Sequence, residues 1–247
     1  MVSGLDHGRA TECNILGYVA PCSIPEVVRD LNAFALGARS VNPEAEVHPV
    51  WILNWFDPVA EREAAQALLD VGADVIARES DSTEPDKLAE GSGIFAMGCN
   101  AVSEDIAPNA LLTAPVWDWS ACYKQTIEAA YNGEWESHAY WRHVADGIMS
   151  LEALGGMVPQ EVQGEINAAE KRIVADDLHP FTGPISDSTG QKRVVAGETL
   201  DTGTLLGFDW LVEGVTGAIP SNWSPPTAYP PQRGAFVALP LCLSTLR

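Results

Sequence analysis

The stretch Ile15–Pro58, ILGYVAPCSIPEVVRDLNAFALGARSVNPEAEVHPVWILNWFDP, constrains the fold more than any other part of the chain. Ile15–Ala20 is a short apolar run of the kind shown by a parallel strand buried on both faces. Ser23-Ile24-Pro25-Glu26 follows, which predicts Ser23 as an N-cap, Pro25 in the first turn and Glu26 completing a capping box. Val27, Val28, Leu31, Phe34, Ala35 and Ala38 then recur at helical spacing. Val47–Leu53 reads as a second strand, with Pro49 placing it at a sheet edge. Asp57-Pro58 opens another helix. Strand, helix, strand, helix start is a parallel α/β unit, and such units put their chemistry at the carboxyl ends of the strands.

The pattern continues. Ala64, Ala67, Leu68 and Val71 share one helical face that ends at Gly72. Asp74–Arg78 is a third strand, Asp81 or Ser82 is placed to cap the helix after it, and Ile94–Gly98 is a fourth strand. Four strands alternating with three helices predict a doubly wound sheet with right-handed crossovers. Beyond Asn109 the texture changes. Leu111–Val116 is read as one further strand, Tyr123–Tyr131 as a helix ending at Asn132-Gly133, and Glu134–Leu154 as a strand or loop passage. Gln160–Asp176 is an amphipathic helix, Phe181–Gln191 a hairpin, and Leu206–Pro220 a hydrophobic closing segment. From Ser221 the chain is Pro-rich and without periodicity.

Charge limits the partners. There are 34 Asp and Glu against 14 Lys and Arg, a net charge of −20, so the basic stripe that a nucleic-acid binder needs is missing. No apolar run approaches the ~20 residues that span a bilayer, and the first residues lack the basic and apolar regions of a signal peptide. Cys13, Cys22, Cys99, Cys122 and Cys242 form no CxxC pair and read as free thiols. His138 and His143 are five residues apart, poorly aligned for a shared metal. Phosphate loops, nucleophile elbows and dinucleotide fingerprints are absent, so neither a cofactor, a metal nor a catalytic residue is assigned.

The strand ends carry the suggestive residues. Asn54-Trp55-Phe56 closes the second strand, Glu79-Ser80-Asp81-Ser82 the third and Gly98-Cys99-Asn100 the fourth, and Trp117-Asp118-Trp119 follows Leu111–Val116. In an open parallel sheet these ends line one crevice. Aromatic faces with a few amide and carboxylate groups suit a flat polar heterocycle, by stacking and by hydrogen bonds to ring edges. For any single tryptophan core packing is the commoner role, and for Asp81 helix capping is an even alternative. Trp55, Glu79, Asp81, Ser82, Asn100, Trp117 and Trp119 are the candidate ligand-binding residues.

GYVA, SIPEVVR, LNAFALGARSVNPEAEV, NWFDP, GADVI, LTAPVWDW and FTGPI together resemble the basic membrane protein family. The resemblance runs from about Asn14 to Pro220. It implies substrate-binding proteins of ABC importers with the type I periplasmic-binding fold, two Rossmann-like lobes closing on a purine nucleoside or base. It implies delivery to a membrane permease at the extracytoplasmic face of the plasma membrane, a lipoprotein-like setting, and no catalysis. The departures are specific. Glu79-Ser80-Asp81-Ser82-Thr83 stands where nucleoside-binding members have a glycine-rich loop, Asn100 where they have an acidic residue, and Trp117 where they carry a lysine. A branch with TDS and WNW-like motifs matches better and implies a purine base such as adenine.

In family terms residues 14–98 with 160–219 form the second lobe, 101–159 part of the first, and 221–247 an irregular tail. Only Met1–Cys13 precede the match, so the chain reads as N-terminally truncated, with ligand binding expected to be weaker than micromolar. Two other readings stay open: a nucleoside-processing enzyme using Asp81 or Glu79 on the same scaffold, and a ligand sensor.

Overall fold

The computed structural model describes residues 1–100, 105–137, 144–152 and 154–221. The chain begins with a helix that the sequence reading left unassigned, α1 (Val2–Ala10). β1 (Ile15–Ala20) follows at its expected bounds, then α2 (Pro25–Val41), β2 (Glu46–Trp51), α3 (Pro58–Asp70), β3 (Val75–Arg78), α4 (Glu84–Ser92), β4 (Phe95–Met97) and β5 (Leu111–Thr113). These five strands form one parallel sheet in the order β2-β1-β3-β4-β5. The order reverses direction between β1 and β3, which makes that junction the topological switch point of a doubly wound sheet. The α/β, periplasmic-binding-protein-like architecture expected from the sequence is the one observed.

Strand alternation sorts the two faces. Leu16, Tyr18 and Ala20 of β1, with Val47, Val75, Ala77 and Met97, pack under Val27, Val28, Leu31, Phe34, Ala35 and Ala38 of α2. Val19 and Ile76 point the other way, to Ala64, Ala65 and Leu68 of α3 and Leu88 of α4. Gly17 lets this second contact close tightly, since a Cβ there would sit 3.0 Å from the Leu68 side chain. Pro49 lies in the edge strand as expected, and the outer side of β2 is closed by a short bridge from Val215 to Val47. That closure limits the exposed strand edge.

α1 lies on the α2 face and reaches β4 and β5. The approach is made by small residues: a Cβ on Gly4 would come within 2.2 Å of the Phe34 carbonyl, and one on Gly8 within 2.5 Å of the Ala38 carbonyl. His7 is fully buried against Phe34 at 5.5 Å between rings, and its Nδ1 is hydrogen-bonded to the Ser3 carbonyl.

Two caps differ from expectation. α2 starts with Ile24 at the N-cap and no side-chain bond, so the Ser23–Glu26 capping box does not form; Pro25 at the first position sets the helix instead. α4 has Thr83 at its N-cap, not Asp81 or Ser82, although the Ser82 hydroxyl accepts from the Glu84 amide at 3.4 Å. The Asp57 cap of α3 is made, with its carboxylate accepting from the Ala60 amide at 3.1 Å.

The expected single strand over Leu111–Val116 divides. β5 stays in the main sheet, while β6 (Pro115–Trp117) leaves it and pairs antiparallel with β7 (Met149–Leu151). Pro115 has no amide to donate to the parallel ladder, which ends the pairing there. α5 (Ser120–Tyr131), a 3-10 turn over Val144–Asp146, α6 (Gln160–Val174), a hairpin of β8 (Ile185–Ser186) and β9 (Lys192–Val194), and α7 (Thr202–Leu206) complete the elements among the described residues. The closing segment is extended rather than regular, and Asn32 fixes it to α2 by donating to the Trp210 carbonyl at 2.7 Å and accepting from the Val212 amide at 3.0 Å. His138, His143 and the Pro-rich tail from Asn222 lie outside the described residues.

Candidate functional site

The carboxyl ends of β2, β3 and β4 lie on one edge of the sheet, with β1 between β2 and β3, and hydrogen bonds join the loops that leave them. The Asp81 amide donates to the Trp55 carbonyl at 2.9 Å, which brings those two candidates together. The Asn100 amide donates to the Pro115 carbonyl at 2.9 Å, which sets Asn100 beside the start of β6. Asn100 holds a left-handed backbone with φ 59°, a conformation Asn tolerates better than most residues. Trp117 and Trp119 lie at the exit of β6, their rings stacked at 5.3 Å and 13°, and Tyr123 continues the stack at 6.4 Å from Trp119.

The seven candidates divide by what their side chains face. Trp55 is 38% exposed, Trp117 37%, and Asp81 and Asn100 are also open to solvent. Trp55, Asp81 and Asn100 present a stacking face, an anionic acceptor and an amide at the sheet edge, whereas Trp117 presents its face from β6, outside that sheet, with Trp119 half-buried beside it. Glu79, the first residue after β3, is turned inward and accepts from the Tyr18 hydroxyl at 2.9 Å. Burial, reinforced by Asp30, pushes its carboxyl well above the ordinary glutamate range, while the Tyr18 bond pulls the other way. The Tyr18 phenol is pushed up for the matching reason, burial first and Glu79 second. Ser82 is also buried, its hydroxyl donating to Glu61 Oε2 at 2.7 Å.

Three residues that the sequence reading passed over hold this edge. Glu61 of α3 is fully buried and accepts from the hydroxyls of Ser80 and Ser82 and from the Ser82 and Asp57 amides. Arg78 at the end of β3 is 1% exposed, donates to Asp86 Oδ2 at 2.9 Å, and reaches the carbonyls of Ser80 at 2.7 Å and Cys99 at 3.4 Å. Asp86 of α4 is buried outright. A charged residue at the last position of a buried strand was the available signal, because such a charge must find a partner. Asp81, between the two hydroxyls that bind Glu61, has its carboxyl raised by partial burial and by Glu61, with Arg78 opposing. The Cys99 thiol is pushed up by burial and by Glu79. Among the described residues no group of three or more His, Cys, Asp or Glu could hold a metal.

The family model described as Bmp, ABC transporter substrate-binding protein PnrA-like, matches residues 2–179. A protein of Haloferax volcanii named as a putative ABC transporter glucose-binding protein is 40% identical over 89% of this chain and 54% of its own length. A purine-binding protein of Brucella abortus is 37% identical over 89% of this chain and 62% of its own. The chain thus spans little more than half the length of these relatives. Among solved structures, a solute-binding protein of an ABC transporter system from Conexibacter woesei superposes with a TM-score of 0.59 at 21% identity, covering 72% of this chain and 60% of that one. That last likeness is one of fold.

Proposed function

The chain belongs to the Bmp family of PnrA-like ABC transporter substrate-binding proteins, and from that membership we propose that its carboxyl-edge site takes a purine base or nucleoside. The observation that carries the reading is the set of aromatic residues at the strand ends, Trp55 on a loop joined to the Asp81 loop by a backbone hydrogen bond and the Trp117–Trp119 stack following the β5 exit. An aromatic face stacks a planar heterocycle, and an adjacent carboxylate accepts from a ring or exocyclic N–H. The purine-binding relative from Brucella abortus supports the same ligand class. Trp55, Asp81, Asn100, Trp117 and Trp119 are the contact residues in this reading, with Glu79 and Ser82 in the wall behind them. The family is one of binding proteins rather than enzymes, and the bound solute is handed to an ABC permease on the extracytoplasmic side. Residues 14–98 with 160–219 serve as one lobe, to which β5 adds the fifth strand of the sheet, and the rest of 101–159 as part of the other. Among the described residues no helix is long and apolar enough to cross a membrane.

The glucose-binding name of the Haloferax relative defines the competing ligand. Adenine titrated to millimolar concentration against ¹⁵N-labelled protein should move the indole N–H resonances of Trp55, Trp117 and Trp119, and glucose at the same concentration should leave them in place. Movement with glucose and none with adenine would overturn the purine assignment.

A further inference from the structure

Glu61 lies outside the open faces of the site, yet its carboxylate is the point at which two strand-end loops meet. Oε1 accepts from the Asp57 amide at 3.0 Å, at the end of the loop that carries Trp55. Oε2 accepts from the Ser80 hydroxyl at 2.7 Å, the Ser82 hydroxyl at 2.7 Å and the Ser82 amide at 3.1 Å, on the loop that carries Asp81. Both serines are buried, whereas Asp81 between them is exposed. Drawing the two flanking hydroxyls inward leaves the Asp81 side chain to face solvent. The Asp81 amide then closes the arrangement by donating to the Trp55 carbonyl.

We propose that Glu61 is a positioning residue of the ligand site, one buried carboxylate that fixes the Trp55 loop against the Asp81 loop. It touches no ligand. Its role is to hold a stacking face and an anionic acceptor at a set separation before the ligand arrives, so that ordering these loops is not charged against binding. Four donors on one carboxylate explain why the position needs Glu. Glutamine has the same shape but one acceptor oxygen and an NH₂ group, so it can serve either the serine side or the Asp57 amide, and its NH₂ meets a donor on the other.

The assignment of these loops to ligand binding rests on the purine reading above, and the experiment separates the two. Amide hydrogen exchange of the ligand-free chain, wild type and Glu61→Gln, reads the clamp without any ligand. Exchange in segments 54–57 and 80–83 should accelerate by on the order of ten-fold or more, the scale of a lost bond to a charged acceptor, while the strands β1 and β3 keep their protection. A difference in tryptophan emission between wild type and E61Q that vanishes in a W55F background should accompany it. A uniform rise in exchange across the sheet, or unchanged exchange in both loops, would overturn the proposal. Adenine titration of both proteins forms the second arm. If the loops loosen in E61Q while neither protein responds to adenine, the clamp stands and the purine assignment falls. If wild type responds, E61Q should need at least ten-fold more adenine, and equal response would refute positioning.

Discussion

Removing Asp86 tests whether the buried ion pair under the site is a mutual dependence or two independent contacts. Arg78 and Asp86 are 1% and 0% exposed, and Nε to Oδ2 is 2.9 Å, so neither charge is screened by water. In D86A the guanidinium keeps the Ser80 and Cys99 carbonyls but loses its counter-charge. Breaking a buried pair from one side costs about 3–5 kcal/mol, because an uncompensated charge stays inside. For a chain of this size each kcal/mol lowers Tm by about 2–4 °C, so D86A should melt roughly 6–20 °C below wild type. R78M should cost a similar amount through the stranded carboxylate. The double variant R78M/D86L removes both charges and leaves the Ser80 and Cys99 carbonyls to find other donors, at about 1–3 kcal/mol each. It should therefore lie about 2–6 kcal/mol below wild type, in the range of either single variant, whereas simple addition would put it about 6–10 kcal/mol below. Urea unfolding followed by far-ultraviolet circular dichroism gives the three values, with tryptophan emission as the second probe of two-state behaviour. Loss of under 1 kcal/mol in D86A, or singles that add to the double within about 0.5 kcal/mol, would refute the coupling.

Glu79 gives a pH signature. Its carboxyl is raised in the folded protein above 4.5, so the fold binds that proton more tightly than the unfolded chain, and its contribution is complete below pH 4.5 and is lost as pH rises toward the folded value. E79Q keeps an acceptor for Tyr18 and carries no charge, so its stability relative to wild type should climb with pH above about 4.5; a flat difference in urea midpoints from pH 4 to 8 would contradict the assigned burial. Gly8→Ala puts a Cβ 2.5 Å from the Ala38 carbonyl, which must push α1 off α2 at a cost of about 1–3 kcal/mol. Differential scanning calorimetry should show the drop, and hydrogen exchange should confine it to residues 2–10 and the facing turns of α2.

The α/β core was legible because it is written in local signals. β1 begins and ends where its apolar run does, the Asp57 cap of α3 is where Asp-Pro stands, and Pro49 marked the edge strand. What misled was local too. Ser23 and Glu26 have the spacing of a capping box, but Ile24 takes the cap position and Pro25 sets the first turn. The run through Leu111–Val116 is apolar throughout, and only the pairing choices at Pro115 separate it into strands of two sheets. α1 was invisible because its docking face is made of glycines with buried Ser3, Asp6 and His7, not of a large apolar stripe. Its Gly4 and Gly8, four apart, acquire meaning only opposite Phe34 and Ala38.

At the site the sequence by itself determined which loops end at the sheet edge, because alternating strands and helices force every strand of a parallel sheet to finish on the same side. It placed Trp55, Glu79, Asp81, Ser82 and Asn100 at that edge. Only the tertiary structure decided which of them face outward. Glu79 turns in because Tyr18 of the neighbouring strand offers a hydroxyl, and Ser82 turns in because the buried Glu61 carboxylate, nineteen positions before Ser80 and on α3, accepts from its hydroxyl as it does from that of Ser80. Strand periodicity fixes the face of a residue within a strand, but it stops at the strand's last hydrogen bond. Beyond that point a loop side chain goes where buried charge and hydrogen-bond partners take it, and those partners come from distant parts of the chain.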